Sequence, residues 1–317
     1  MIRAILAIAL IAAPIYLSYA LVPHHEGSGN MFHQLYSHVL PAPLAMPAAD
    51  HAESDGHGEA REIIAVATPF LPALFHHTDQ EHIEGKTPVF NLQIFQVFSV
   101  LLLFLCFSGV PSTIRTGKGD WISRMFAGFA LWVRDEMVEP IMGRETCTKI
   151  LPFFLCLFFF ILFMNLMGLI PGGATATASI GVTGALALIT FLSMIGLGMA
   201  VQGPFTFWKN IVPHGLPWPL IPLMFIIELI GLIVKPVALT IRLFANMTAG
   251  HLIVLSAMGL IYYFGEQSST IGWLTAPLAV GFAVFIMIIE AFVAMIQAYI
   301  FTYLTILFVQ ACVHPEH

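Results

Sequence analysis

Two apolar stretches close the chain, at about 219–264 and 272–312, and together they hold only five charged or imidazole side chains: Glu228, Lys235, Arg242, His251 and Glu290. A helix perpendicular to a bilayer crosses the hydrocarbon core in about 20 residues, and each stretch is roughly twice that. Each is therefore either a tight two-span hairpin or one long, strongly tilted helix. A hairpin needs a polar turn near its middle. The first stretch offers only Lys235-Pro236 and Asn246 there, and the second only Glu290 and Gln297. One long helix per stretch is the more economical reading.

The rest of the chain agrees with a membrane solvent. Charged residues make up 9% of the sequence and hydrophobic residues 58%, against about 25% charged in soluble domains. The net charge is −6, and no basic block suggests nucleic acid. The four cysteines, Cys106, Cys147, Cys156 and Cys312, form no C-x-x-C pair and sit in or beside apolar runs, which reads as small buried hydrophobes.

Residues 1–20 place one Arg before an apolar run that ends in Ser18-Tyr19-Ala20. That is the pattern of a secretory signal or, uncleaved, of an extra span. Residues 21–92 form a hydrophilic arm that holds nine of the thirteen histidines. The cluster from His76 to His82 invites a metal-site reading, but it has no helical or Cys-containing ligand frame, so a solvated arm is expected and no metal or cofactor. Residues 93–317 form the membrane domain. Spans are expected at about 93–110, 150–170 and 180–201. An amphipathic surface helix at about 119–146 carries Ile122, Met125, Phe129, Val133 and Met137 at helical spacing. The fold class is thus an all-α polytopic membrane protein with about five spans, the last two long and tilted.

Six of the twelve Lys and Arg lie between Arg115 and Lys149. The positive-inside rule places that loop in the cytoplasm. The His-rich arm is then external, and after five crossings the C-terminal His314-Pro315-Glu316-His317 is cytoplasmic.

Charged groups inside spans are costly and mark function. Arg242 has about twenty apolar-dominated residues on either side, too many for the snorkelling open to Lys235 beside Pro236. Arg keeps its proton at any relevant pH, so Arg242 is a fixed charge that attracts a carboxylate and carries no proton itself. His251 and Glu290 can both exchange protons and together make a relay. Glu290, Ala294, Gln297 and Phe301 share one helical face, as do Arg242 and Asn246. His251 lies nine positions beyond Arg242, about 180° round the helix, so the two need not face the same partner.

These residues carry a resemblance. Ile241-Arg242-Leu243-Phe244-Ala245-Asn246-Met247, then Ala249-Gly250-His251, resembles the signature of subunit a of F-type ATP synthases. Lys235-Pro236, the segment Met164–Pro171, Pro213-His214-Gly215 and Gln297–Phe301 resemble further family segments, in the family's order. The resemblance covers about residues 90–312. It implies a subunit that packs against a rotating ring of c subunits, each with a membrane-embedded carboxyl, and that supplies two offset aqueous half-channels. The family's essential Arg falls on Arg242, and proton-path residues fall on Glu228, Asn246, His251, Glu290 and Gln297. The family's Glu–His pair occurs here in its swapped order, His251 then Glu290. The implied partners are the c-ring, peripheral-stalk b subunits, the remainder of the ATP synthase complex and the lipid bilayer. The implied location is a bacterial inner membrane. Such a chain has no catalytic site of its own and serves an H+-transporting ATP synthase.

Two positions depart from the family. Gly168 stands where some relatives have an acid, and Ala238 where some have a small hydroxyl; both departures are referred to the inner exit path. A free-standing proton-coupled secondary transporter is the alternative, but no inverted repeat is visible. A haem enzyme would need axial histidines inside spans, and only His251 qualifies.

Overall fold

The structure is a computed structural model that describes residues 2–21, 45–47, 61–63, 65–67, 86–88, 90–170, 173, 175–211 and 218–313. The cluster His76–His82, the segment Pro213-His214-Gly215 and the C-terminal residues 314–317 lie outside the described residues. Among the described residues, six helices are long and apolar enough to cross a membrane.

The N-terminal helix α1 (Ile2–Leu21) packs along α2 (Asn91–Phe107), and Arg3 at its start meets the loop that follows α2. The Arg3 guanidinium donates to Ser123 Oγ at 2.7 Å and lies 3.6 Å from the Asp120 carboxylate. The arm contains four three-residue strands: β1 (Ala45–Pro47), β2 (Arg61–Ile63), β3 (Ala65–Ala67) and β4 (Lys86–Pro88). They pair antiparallel as β1 with β2 and β3 with β4. These are the exception to an otherwise helical architecture.

The expected surface helix is broken into pieces: α3 (Val110–Thr116), α4 (Trp121–Trp132), a π-helical turn (Val133–Val138) and α5 (Glu139–Met142). Its apolar residues divide between protein and surface. Val133 and Met137 are fully buried, but Met125 and Phe129 are exposed, and Ser123, Phe126, Ala127 and Ala130 are buried instead. An interfacial helix has protein on one side and acyl chains on another, so apolar spacing alone does not tell which face meets protein. The wider π turn then brings Val133, Met137 and Val138 into the core together.

Helix α6 (Arg144–Gly168) is the central pillar. Its Phe159 ring sits 4.9 Å from Phe107 of α2 and 5.4 Å from Phe126 of α4, centroid to centroid. The first pair is edge-on and the second tilted; aromatic pairs of this kind add about 0.5–1.5 kcal/mol beyond area burial. Ser99 of α2 satisfies its buried hydroxyl on the Phe95 carbonyl at 2.8 Å and lies 3.3 Å from Met167 Sδ of α6. Of the cysteines, Cys106 and Cys147 are buried as expected, whereas Cys156 is exposed on α6; all four are free thiols.

Helix α7 (Ile180–Gln202) leads through α8 (Pro204–Asn210) to the two longest elements, α9 (Ile221–Gln267) and α10 (Ser269–Val313). These are continuous helices of 47 and 45 residues, as expected, and not hairpins. A 47-residue helix is about 70 Å long, more than twice the hydrocarbon thickness of about 30 Å. It must incline or project. Inside α9, Pro236 removes one backbone donor, and the Thr240 hydroxyl donates back to the Pro236 carbonyl at 3.1 Å. Extended Ser268 ends α9, and the chain reverses at once into α10. The two helices pack along one another, with α6 and α7 behind them. At the far end of α10, Gln202 Nε2 donates to the Cys312 carbonyl at 2.6 Å, and Asn210 Nδ2 donates to Gln202 Oε1 at 3.0 Å. Terminal helix carbonyls have no intrahelical partner, so this pair satisfies one of them.

Candidate functional site

One stripe of α10 carries two of the buried polar side chains, Glu290 and Gln297. Glu290, Ala294 and Gln297 fall on the same helical face; the first and third meet α9 and the second meets α6. The face points inward: Glu290 is 5% exposed and Gln297 is 1% exposed.

At the first position, Glu290 Oε1 lies 2.8 Å from His251 Nδ1 of α9. The approach depends on Gly250. A Cβ there would stand 2.6 Å from the Glu290 carboxyl carbon, so any larger residue would push the acid away from its partner. The other imidazole nitrogen, Nε2, lies 3.2 Å from the Gly168 carbonyl at the end of α6 and within hydrogen-bonding distance of Thr175 Oγ1. Both ring nitrogens are thus engaged.

At the second position, Asn165 of α6 donates from Nδ2 to the Ala294 carbonyl at 3.4 Å and accepts from the Thr177 hydroxyl at 2.7 Å. Asn165 is fully buried. Its amide ties the short 3₁₀ turn Ala176–Ala178 to the middle of α10.

At the third position, Asn246 Nδ2 of α9 donates to Gln297 Oε1 at 2.9 Å. Gln297 Nε2 is buried with no hydrogen-bond partner among the described residues. Arg242 sits one helical turn before Asn246, on an exposed strip of α9 with Ala238, Ala245 and Ala249 around it. Among the described residues Arg242 makes no ion pair and no hydrogen bond. Small residues flanking a fixed charge allow another helix backbone to come close.

The pair expected from the sequence, His251 with Glu290, is brought together, and Asn246 and Gln297, which the sequence placed on separate faces without pairing them, meet as well. Glu228 is not brought to either pair. It is half-buried on α9, fourteen residues before Arg242, or about 21 Å along the helix axis. It makes no ion pair among the described residues. Lys235 does not pair with it either; its ammonium lies 5.4 Å from the centre of the Phe308 ring of α10. Gly168 lies beside the His251 pair. Its carbonyl faces His251, and a Cβ there would come within 2.7 Å of Thr175 Oγ1. In this chain an acid at 168 is excluded by the close approach of Thr175.

Asn165, Thr175 and Thr177 are absent from the candidates read in the sequence. Asn165 could have been found as the one amide in the run Phe153–Met167. The threonines lie in a turn of small residues, where no periodicity announces them.

Residues 93–310 match the ATP synthase A chain family. Relatives named ATP synthase subunit a include one from Myxococcus xanthus, 42% identical over 204 residues, which is 64% of this chain and 64% of the relative. Another, from Anaeromyxobacter sp., is 37% identical over 276 residues, covering 84% of this chain and 62% of the relative. ATP synthase subunit a 2 of Chlorobaculum tepidum is 32% identical over 289 residues, covering 86% of this chain and 80% of the relative. The chain therefore spans slightly less than two thirds of the first two relatives and most of the third. The match extends through the long apolar helices and the polar stripe between them, and the chain, an integral multi-pass membrane protein, belongs to the ATP synthase A chain family.

Proposed function

We propose that the chain is the proton-translocating subunit a of an F-type ATP synthase. It carries protons to and from the carboxyls of a rotating c-ring through two offset half-channels, and so couples a proton gradient to ATP synthesis. The observation that carries this reading is the stripe of α10 that runs from the His251–Glu290 pair to Asn246–Gln297 and ends one turn from exposed Arg242. Protons enter at the His251–Glu290 end and reach the ring carboxyl at the Arg242 strip. The guanidinium keeps that carboxyl ionised as it passes between half-channels and blocks a direct leak. Glu228, on the other side of Arg242, serves the second half-channel.

The same reading gives the orientation. The loop between α2 and α6, with its six basic side chains, faces the cytoplasm, as does the C-terminus. The arm and the His251 end of the path face outward across a bacterial inner membrane. The contacts of Arg3 with Asp120 and Ser123 support reading α1 as a sixth span that starts at the cytoplasmic end. The partners are the c-ring, the peripheral-stalk b subunits and the rest of the complex.

Affinity purification of the tagged chain from native membranes in mild detergent tests the reading. A c-ring and soluble ATPase subunits are expected to copurify in fixed stoichiometry. A chain that purifies alone and transports protons by itself in liposomes would contradict it and favour a free-standing transporter.

A further inference from the structure

Of the two groups that face Nε2 of His251, Thr175 is the one whose hydrogen-bonding role can reverse. Glu290 faces Nδ1, and two oxygens face Nε2: the Gly168 carbonyl at 3.2 Å and the Thr175 hydroxyl. A carbonyl only accepts, so it suits Nε2 when that nitrogen carries a proton. When Nε2 is bare, its lone pair and the carbonyl oxygen face one another with no proton between them. A hydroxyl both donates and accepts. Thr175 Oγ1 also lies 3.4 Å from the Gly168 carbonyl, so its single proton has two possible destinations.

The surroundings fix Thr175 in place. It is 6% exposed. Its carbonyl accepts from the Ala178 amide at 3.0 Å, and two residues on, Thr177 is held by buried Asn165 at 2.7 Å. Gly168 provides the room, since a Cβ at that position would come within 2.9 Å of the Thr175 Cα. The turn is pinned and only the hydroxyl proton is left to rotate.

On the proton-path reading given above, we propose that Thr175 is a positioning residue for proton transfer through His251. With Nε2 protonated, the imidazole N–H donates to Thr175 Oγ1 and the Gly168 carbonyl, and the Thr175 hydroxyl donates to Gly168. With Nε2 bare, the hydroxyl turns about its C–O bond and donates to the ring. Nε2 therefore has a partner before it takes a proton from outer water and after, while Nδ1 passes its own proton to the Glu290 carboxylate. Without the hydroxyl, Nε2 is held in its protonated state and the relay loses one of the two states that it needs.

The test uses the assembled complex in proteoliposomes, with proton-driven ATP synthesis per complex as the readout. Thr175→Val keeps the shape and removes the hydroxyl, and about a tenfold loss of rate is expected. Thr175→Ser restores the hydroxyl without the methyl, and its rate is expected within about twofold of wild type. A purely structural Thr175 would instead show the larger defect in Ser, which leaves a void. If Val does not assemble, Thr175→Ala, which adds no bulk, replaces it in the comparison. Ring-nitrogen NMR shifts of labelled His251 give a second signature, with Nε2 protonated throughout in the Val variant. A Val or Ala variant as fast as wild type, or a Ser variant as slow as either, overturns the assignment of Thr175. Arg242→Ala is run alongside: normal synthesis in that variant means that the proton-path reading itself has failed.

Discussion

Asn246 and Gln297 hold α9 and α10 together by one hydrogen bond of 2.9 Å, one helical turn beyond Arg242. Because Gln297 is buried and its Nε2 already lacks a partner, Asn246 is the only group that satisfies its amide oxygen among the described residues. Asn246→Leu should therefore destabilise the helix pair by about 0.6–1.7 kcal/mol, the range of buried interhelical hydrogen bonds in bilayers. A double-mutant cycle with Gln297→Leu on the thermal stability of the complex reads the coupling directly. Strict additivity would mean that the bond contributes nothing.

Glu290→Gln retains shape and hydrogen bonding at His251 and removes the exchangeable proton. A relay requires proton flux per assembled complex to fall strongly, by about a hundredfold or more as for other positioned acid–base groups. A packing role would lower assembly and leave flux per complex unchanged. The exchange His251→Glu with Glu290→His should recover substantial flux, since the pair and not its order carries the proton.

Gly250→Ala should disable the same step without touching a titratable group. The new Cβ would stand 2.6 Å from both the Glu290 carboxyl carbon and Oε1, so the acid must move off Nδ1. Adding Glu290→Asp, which is one methylene shorter, should recover part of the flux. A Gly250→Ala complex with wild-type flux would show that the 2.8 Å contact is not needed.

The proposed topology makes a prediction that involves Arg3. Its contacts with Ser123 and Asp120 put the start of α1 on the same side as the basic loop. In a cysteine-free background, Lys118→Cys should be labelled from the cytoplasm and Ser54→Cys from outside. Ser123 itself is buried and unsuited to labelling. Mass spectrometry of the mature chain should find residues 2–21 retained. Labelling of both sites from one side, or a chain that begins near Leu21, would overturn this arrangement.

The chemistry on the long helices was legible because polar atoms are rare there. Arg242, Asn246, His251, Glu290 and Gln297 each interrupt an apolar run, and helical geometry alone gave their faces. What the sequence concealed lies where apolar periodicity carries no information. Thr175 and Thr177 sit in a turn of small residues, and their roles arise only from the packing of that turn against α6. The apolar spacing of α4 and the turn after it did not tell which residues meet protein, as Val133 and Met137 do, and which stay exposed, as Met125 and Phe129 do, because lipid and protein both accept apolar side chains. Gly168 read as a lost acid, whereas its missing side chain makes room for Thr175.

Arg242 is the most direct test. The account requires a fixed positive charge at the exposed strip beside the polar stripe. In membranes carrying Arg242→Ala, with complex content confirmed, proton-driven ATP synthesis should be abolished. Arg242→Lys should recover little, since a buried ammonium can lose its proton and lacks the planar fork. Proton-driven synthesis at the wild-type rate in the Arg242→Ala complex would contradict the account.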